Sequence, residues 1–304
     1  MREPVTVACV QAEPVAMRRE ATLDRLAERT AEAAGAGAQL VVFPEAFVPA
    51  YPSSVWAKAL AGWGDPRAKA AFAQLARESV ELPGPASDRM ADTAREHGVW
   101  LVVGVTEVDP ERPGTLFNTL LGYSPEGELA LHHRKLVPTN HERLVWGPGD
   151  GTGLRAIATP IGRIGGLICW ENYMPLARFA LYESGVEIYL ASTADDADDW
   201  QATLVHIARE SRAFVVSPSH FQRSSAYPDD FPLRDEIAGI DLIGGGGSAI
   251  LGPDGAYLAG PLYDEEGILF AELDPARLME ERQRFDPAGH YHRPDILGLT
   301  VREP

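Results

Sequence analysis

The sequence predicts an α/β fold whose sheets mix parallel and antiparallel strands, and three observations carry that expectation. A strand, an amphipathic helix and a second strand follow one another between Val5 and Phe43, the arrangement of a parallel crossover unit. Trp100–Val105 and Phe117–Tyr123 are then consecutive strand patterns separated by Pro110, Pro113 and Gly114, a connection that suits an antiparallel pair. Beyond residue 165, apolar runs alternate again with helical patterns. A purely parallel doubly wound sheet is disfavoured by the back-to-back strands.

Val5 to Val10 reads as a buried strand, and Cys9 within it as packing. Thr22 to Ala34 places Leu23, Leu26 and Ala27 on one helix face and Glu28 and Arg29 on another, and Gly35 and Gly37 close that helix. Leu40 to Phe43 is a second buried strand, ended by Pro44, and Glu45 stands just past its carboxyl end, where functional groups of α/β folds collect. The flanking Phe43-Pro44 and Ala46-Phe47-Val48-Pro49 are strongly apolar, which argues against a solvated acid. The connection from Tyr51 is aromatic, with Trp56 and Trp63, and reads equally as a lid or pocket wall and as packing beneath a long loop, before helices at Pro66–Arg77 and Pro85–His97. Tyr123 to Glu128 reads as a hairpin connection into the strand-like run Leu131 to Leu136.

Lys135 lies in that run, and Glu142 follows the turn signal Pro138-Thr139-Asn140, so one bend can bring the two together. His132 and His133 are adjacent on a strand and face opposite ways, so they do not suggest a shared metal. Gly147–Gly153 and Gly244–Gly247 lack the endings of phosphate loops and read as tight turns. The run Gly165 to Ile168 delivers Cys169 to a strand-to-helix elbow, where Trp170-Glu171-Asn172-Tyr173-Met174 opens a helix and Pro175 sits in its first turn. A thiol and the free N–H groups of the following segment would then share one pocket. A helix at Pro175–Glu183, a strand at Val186–Ala191, the loop Ser192–Asp196, a helix at Trp200–Ser211 and a strand at Phe214–Ser217 follow. Ser248–Leu251 and Ile268–Leu273 read as a pair joined through the turn Pro253-Asp254-Gly255. The tail from Phe285 to Leu299 has no periodicity but many ring residues, and is expected to dock on a partner subunit.

Composition narrows the function classes. The 304 residues carry 27 Lys+Arg against 44 Asp+Glu, a formal net charge of −17, which argues against a nucleic-acid surface or an anionic membrane as partner. Cys9 and Cys169 are the only cysteines, so neither a disulfide framework nor a zinc ribbon is suggested. The N-terminal residues run straight into a strand without a signal-peptide pattern, and no apolar run is long enough to cross a bilayer; the expected location is the cytoplasm.

Four groups stand out at strand ends and bends: Glu45, Lys135, Glu142 and Cys169. Phe43-Pro44-Glu45-Ala46-Phe47, His133-Arg134-Lys135-Leu136-Val137-Pro138-Thr139, Glu142-Arg143-Leu144-Val145-Trp146-Gly147 and Cys169-Trp170-Glu171-Asn172-Tyr173-Met174-Pro175 resemble the catalytic stretches of the nitrilase superfamily. The resemblance continues through Ser192–Asp196, Gly246-Gly247-Ser248 and Phe285–Tyr291, so it covers nearly the whole chain, and the residues after Cys169 look like the nitrilase branch. Pro218-Ser219-His220 departs from what many nitrilases carry there and is expected to alter the pocket.

The resemblance implies a four-layer α-β-β-α sandwich, a carbon–nitrogen hydrolase domain over residues 1–280, and a 281–304 extension at the interface of a homodimer or larger homo-oligomer. It implies hydrolysis of a small-molecule nitrile to the acid and ammonia, with no cofactor and no metal. Cys169 would be the nucleophile, Glu45 the general base, Lys135 the stabiliser of developing charge, and Glu142 the group holding Lys135 and substrate in register. Tyr51, His141, Trp146, Trp170 and Tyr173 are expected to bind the substrate side chain. The alternatives are an amide or carbamoyl hydrolase, a hydratase-type member that releases the amide, and a non-catalytic oligomeric scaffold.

Overall fold

The computed structural model describes residues 1–302. Its first sheet contains β1 (Val5–Gln11), β2 (Leu40–Val42), β3 (Val80–Glu81), β4 (Trp100–Val108), β5 (Leu116–Tyr123) and β6 (Leu129–Arg134). The second contains β7 (Ile157–Thr159), β8 (Gly162–Gly166), β9 (Ile188–Leu190), β10 (Phe214–Ser217), β11 (Phe221–Arg223), β12 (Leu242–Leu251) and β13 (Tyr257–Tyr263). A last strand, β14 (Gly267–Leu273), returns to the first sheet and pairs antiparallel with β1. The helices are α1 (Arg19–Gly35), α2 (Ser54–Ala57), α3 (Pro66–Glu78), α4 (Pro85–His97), α5 (Pro175–Glu183), α6 (Asp198–Ser211) and α7 (Pro275–Arg284).

Side-chain alternation along the strands generates the layers. On β1, Ala8 and Val10 face one way, into a core with Leu23 and Leu26 of α1 and Met90 and Ala94 of α4. Val5, Val7 and Cys9 face the other way, and meet Ile164, Ile188, Leu190, Phe214 and Val216 of the second sheet. The far face of that sheet, with Tyr189, Val215 and Leu251, packs on Leu181 of α5 and on Trp200, Leu204 and Ile207 of α6. Helix, sheet, sheet, helix is the resulting order, the α-β-β-α sandwich that the resemblance implied. Parallel pairs at β1–β2–β4 and β8–β9–β10 sit beside antiparallel pairs at β4–β5–β6 and β10–β12, so both sheets are mixed.

Two expectations are corrected. The turn Pro253-Asp254-Gly255 joins β12 to β13, and Ile268–Leu273 pairs with β1 instead of with Ser248–Leu251. The missed strand β13 contains Gly260-Pro261, a dipeptide that breaks a strand pattern, and its register with β12 shifts at several points. Gly244–Gly247 is not a tight turn but the middle of the ten-residue β12. Gly246 and Gly247 have φ of +84° and +103°, and the side chain of Gln11 fills the space where a Cβ on Gly246 would lie, so glycine permits a close approach within the strand.

The aromatic connection after Tyr51 forms α2, where Trp56 is buried and donates to the Tyr227 hydroxyl at 2.7 Å, whereas Trp63 is fully exposed. α7 continues through residue 284, and the described residues beyond it, 285–302, form no helix or strand; His292 packs edge-on against Phe179 and Phe285 lies under Arg212. Among the described residues no helix is long and apolar enough to cross a membrane.

Candidate active site

Three loops, each leaving the end of a different strand, converge at one buried cluster. The first leaves β2, and Pro44-Glu45 turns it with Ala46 at φ +46°. The turn lies directly on β4: a Cβ on Gly104 would come within 2.2 Å of the Pro44 carbonyl oxygen, so only glycine lets the loop settle there. The second leaves β6, where Lys135 follows the last strand residue, and it bends back through Asn140 at φ +42° to Glu142. Glu142 accepts the Thr139 N–H at 2.6 Å, which fixes its carboxylate at the head of a short 3-10 turn. The third leaves β8, and Cys169, at φ +54°, starts the 3-10 turn that precedes α5. A non-glycine residue with positive φ thus stands in each of the three loops that carry the four candidates, and such strain persists only where surrounding contacts over-determine it.

Glu45, Lys135 and Glu142 are fully buried, and Cys169 is nearly so. The Lys135 ammonium lies 2.8 Å from Glu45 Oε1, 2.8 Å from Glu142 Oε2 and 3.0 Å from Glu142 Oε1. One cation therefore bridges two carboxylates. Glu45 Oε1 also accepts from Asn118 Nδ2 at 2.7 Å, and its Oε2 accepts the Ala194 N–H at 2.8 Å. The Thr193 hydroxyl donates to Cys169 Sγ at 3.2 Å. Cys169 N–H is committed to the Ser192 carbonyl, whereas Trp170 N–H has no acceptor among the described residues.

The electrostatics follow from burial and from the count of charges. Burial raises the Cys169 thiol well above its ordinary value; Glu45 raises it further and Lys135 opposes. Burial also raises the Glu45 carboxyl, Lys135 pulls it back and Glu142 pushes it up. For Lys135 burial disfavours the charge, but Glu45, Cys169 and Glu142 outweigh it and keep the ammonium protonated. With a neutral thiol the cluster holds two negative charges and one positive, a state in which a further anion on sulfur is costly unless its proton stays close.

Of the five residues expected to bind substrate, the structure brings three to this cluster. The Tyr51 hydroxyl donates to Glu142 Oε1 at 2.8 Å and stands 3.4 Å from His141 Nε2; its ring lies 5.9 Å from that of Trp146. Trp170 and Tyr173 are half-exposed, with rings 5.6 Å apart; Trp170 Nε1 donates to Asp195 at 2.7 Å, and the Tyr173 hydroxyl lies 3.0 Å from that of Thr203. Asn118 joins the site without having been singled out in the sequence, whereas Thr193 and Ala194 lie in the Ser192–Asp196 loop and His220 in the stretch expected to alter the pocket, none of the three with a role of its own assigned there. His220, in the stretch Pro218-Ser219-His220, packs 5.8 Å from the Tyr51 ring, and burial lowers its pKa to about 4, which leaves it neutral. Among the described residues there is no cluster of ligands able to hold a metal ion.

The chain matches the carbon-nitrogen hydrolase family over residues 6–283. It is 42% identical over 303 residues to a bifunctional nitrilase/nitrile hydratase of Nicotiana tabacum, a match covering 98% of this chain and 86% of that protein. An aliphatic nitrilase of Sinorhizobium fredii is 42% identical over 296 residues, covering 97% of this chain and 95% of that one. Among solved structures, a carbon-nitrogen hydrolase from Helicobacter pylori superposes with a TM-score of 0.74 at 20% identity, with 97% of each chain covered. An amidase from Nesterenkonia sp. superposes with a TM-score of 0.68 at 22% identity, over 93% of this chain and 95% of that one, a likeness of fold. By its matched length, its relatives and its layered architecture, the chain belongs to the carbon-nitrogen hydrolase family.

Proposed function

We propose that the protein hydrolyses an organic nitrile to the carboxylic acid and ammonia through a covalent bond to Cys169. The observation that carries this reading is the single buried ammonium of Lys135 held 2.8 Å from each of two carboxylates beside a buried thiol. The Cys169 sulfur attacks the nitrile carbon while Glu45 takes the thiol proton, and a proton passes to the nitrile nitrogen to give a thioimidate. Water adds to that carbon, the carbon–nitrogen bond breaks with release of ammonia, and a thioester remains. A second water, deprotonated by Glu45, cleaves the thioester to the acid and restores the thiol. Lys135 and the free Trp170 N–H stabilise negative charge on nitrogen and on the tetrahedral oxygen. Glu142 keeps the ammonium oriented between the two carboxylates. Tyr51, His141 and Trp146 form the wall nearest Glu142, and Trp170 and Tyr173 a rim at the elbow.

A second reading has support from the tobacco relative, whose name includes nitrile hydratase. If the tetrahedral intermediate expels the cysteine sulfur before ammonia, the product is the amide. The functional unit is taken to be a cytoplasmic homo-oligomer in which the tail beyond residue 280 reaches a neighbouring subunit. The exposed Tyr291, Ile296 and Leu297 in that tail favour such a contact.

Ammonia, acid and amide release from a panel of aliphatic and aromatic nitriles, assayed beside the corresponding amides, tests the proposal. Turnover of nitriles with loss of all activity in Cys169→Ala is expected. Activity confined to amides would reject the nitrile reading, and substantial turnover by a folded Cys169→Ala variant would reject the nucleophile.

A further inference from the structure

Glu171 lies two residues after Cys169, is buried, and has no part in the chemistry above. Both of its carboxylate oxygens are engaged. Oε1 accepts the Leu136 N–H at 2.8 Å and stands 3.1 Å from His133 Nε2. Oε2 accepts the Ile168 N–H at 2.9 Å and stands 2.9 Å from the same His133 nitrogen. A carboxylate can only accept, so Nε2 carries the proton and donates. The partners belong to two separate stretches of chain: His133 and Leu136 flank Lys135, and Ile168 immediately precedes Cys169. Among the described residues no main-chain hydrogen bond joins these stretches directly, since Lys135 N–H donates to Asn118 and Cys169 N–H to Ser192.

We propose that Glu171, braced by His133, is a positioning residue that sets the placement of the Lys135 ammonium relative to the Cys169 sulfur. The claim rests on reading these two groups as catalytic. One side chain fastens the lysine-bearing segment and the cysteine elbow to a common anchor, and it does so where the elbow is strained, with Cys169 at φ +54°. Other bonds in the elbow stay local: Asn172 Nδ2 donates to the carbonyls of Leu167 and Cys169, and Asn172 Oδ1 accepts from the Tyr189 hydroxyl, all within the second sheet and its loops. The pair also accounts for His133, whose neighbour His132 points to the opposite face of β6, toward Glu107. Burial opposes the charge on Glu171, but His133 and the two backbone donors hold its carboxyl below the ordinary range, so all its lone pairs are available as acceptors. An amide here would turn its NH₂ toward either the Leu136 or the Ile168 N–H, and one of the two segments would be released. Among the described residues His133 Nδ1 has no partner, so only the Nε2 donor matters, and a glutamine side chain can supply one.

The test compares Glu171→Gln, His133→Leu and His133→Gln in the full-length protein by steady-state kinetics and by the alkylation rate of Cys169 with iodoacetamide, each normalised to the folded fraction. Glu171→Gln and His133→Leu are expected to lower kcat by about 30-fold or more with KM within about threefold, and to slow alkylation about tenfold, because misplacement of about an ångström is enough. His133→Gln is expected to retain both within about threefold to fivefold. The double variant Glu171→Gln with His133→Leu is expected to lose no more than the worse single one, as two parts of one device. Wild-type kcat and alkylation in folded Glu171→Gln would overturn the proposal, as would slowed turnover with unchanged alkylation or His133→Leu behaving like His133→Gln. If Glu171→Gln fails to fold, the two His133 variants decide alone. Alkylation needs no substrate, so it separates failure here from failure of the nitrile reading.

Discussion

Glu45, in the turn that leaves β2, and Glu107, on β4, are both buried carboxylates, yet their surroundings treat the proton in opposite ways. Burial opposes the charge on Glu107, but His132, Arg134 and the Thr119 hydroxyl outweigh it and hold its pKa at about 2. Burial likewise opposes the charge on Glu45, but its cation is shared with Glu142, and the carboxyl stays above the ordinary range. The same strands build both clusters by alternation: His132 and Arg134 of β6 turn to Glu107, while His133 and Lys135 turn to the site; on β5, Thr119 serves Glu107 and Asn118 serves Glu45. A carboxylate given surplus donors anchors the sheet. One left short of positive charge can take up a proton, as a general base must.

Removing the shared cation should break the contrast most severely. Lys135→Met leaves Glu45 and Glu142 buried and facing each other without compensation, and activity is expected to fall to background while stability drops by about 3–5 kcal/mol. Steady-state rates together with chemical denaturation check both; a variant with native stability would show that the two carboxylates do not depend on the lysine.

The anchoring cluster should fail differently. The folded-state pKa of Glu107 lies below its unfolded value, so its stabilisation is full above the unfolded value of about 4.5 and is lost as pH falls toward about 2. Glu107→Gln should therefore cost on the order of 2–3 kcal/mol at neutral pH and flatten the acid side of the stability curve, with kcat per folded enzyme within about twofold of wild type. Denaturation midpoints across that pH range, beside rates normalised to folded protein, give the answer. A large loss of kcat would mean that the two faces of β6 are not independent.

The smallest expected effect sharpens the account of Glu45. The proposed mechanism requires ionised Glu45, so it predicts that the rate falls as pH drops through its raised pKa, an acid limb above the ordinary carboxylate range. Glu142 contributes to that rise, and Glu142→Gln should move the limb to lower pH even as the plateau rate declines. A pH profile of kcat/KM for both proteins checks the sign; a limb displaced upward would contradict it.

How much of this was legible in the sequence depends on what kind of atom does the work. Glu45, Lys135, Glu142 and Cys169 are distinctive side chains beside turn signals, and their stretches resemble known ones, so their convergence could be anticipated. The partners that set their chemistry are ordinary by comparison: Asn118 lies inside an apolar strand, Thr193 in a small polar loop, and the Ala194 N–H is backbone and has no sequence signature. Gly104 looked like one more residue of β4, although it makes room for the Glu45 turn. The fold was readable wherever periodicity was clean, as in β1, α1 and β2, and unreadable where Gly260-Pro261 and Gly244–Gly247 lie within strands, because both disrupt the two-residue period while the sheet absorbs them through register shifts.

The central claim is that sulfur, carboxylate and ammonium surround one reacting carbon. Mass spectrometry of protein quenched during nitrile turnover tests it most directly, by mapping the acyl or imidoyl adduct to a peptide. The adduct is expected on the peptide carrying Cys169, with none on Cys9, which lies buried between the sheets with its thiol pKa raised by that burial. Turnover without any adduct on Cys169, or an adduct on another residue, would contradict the account.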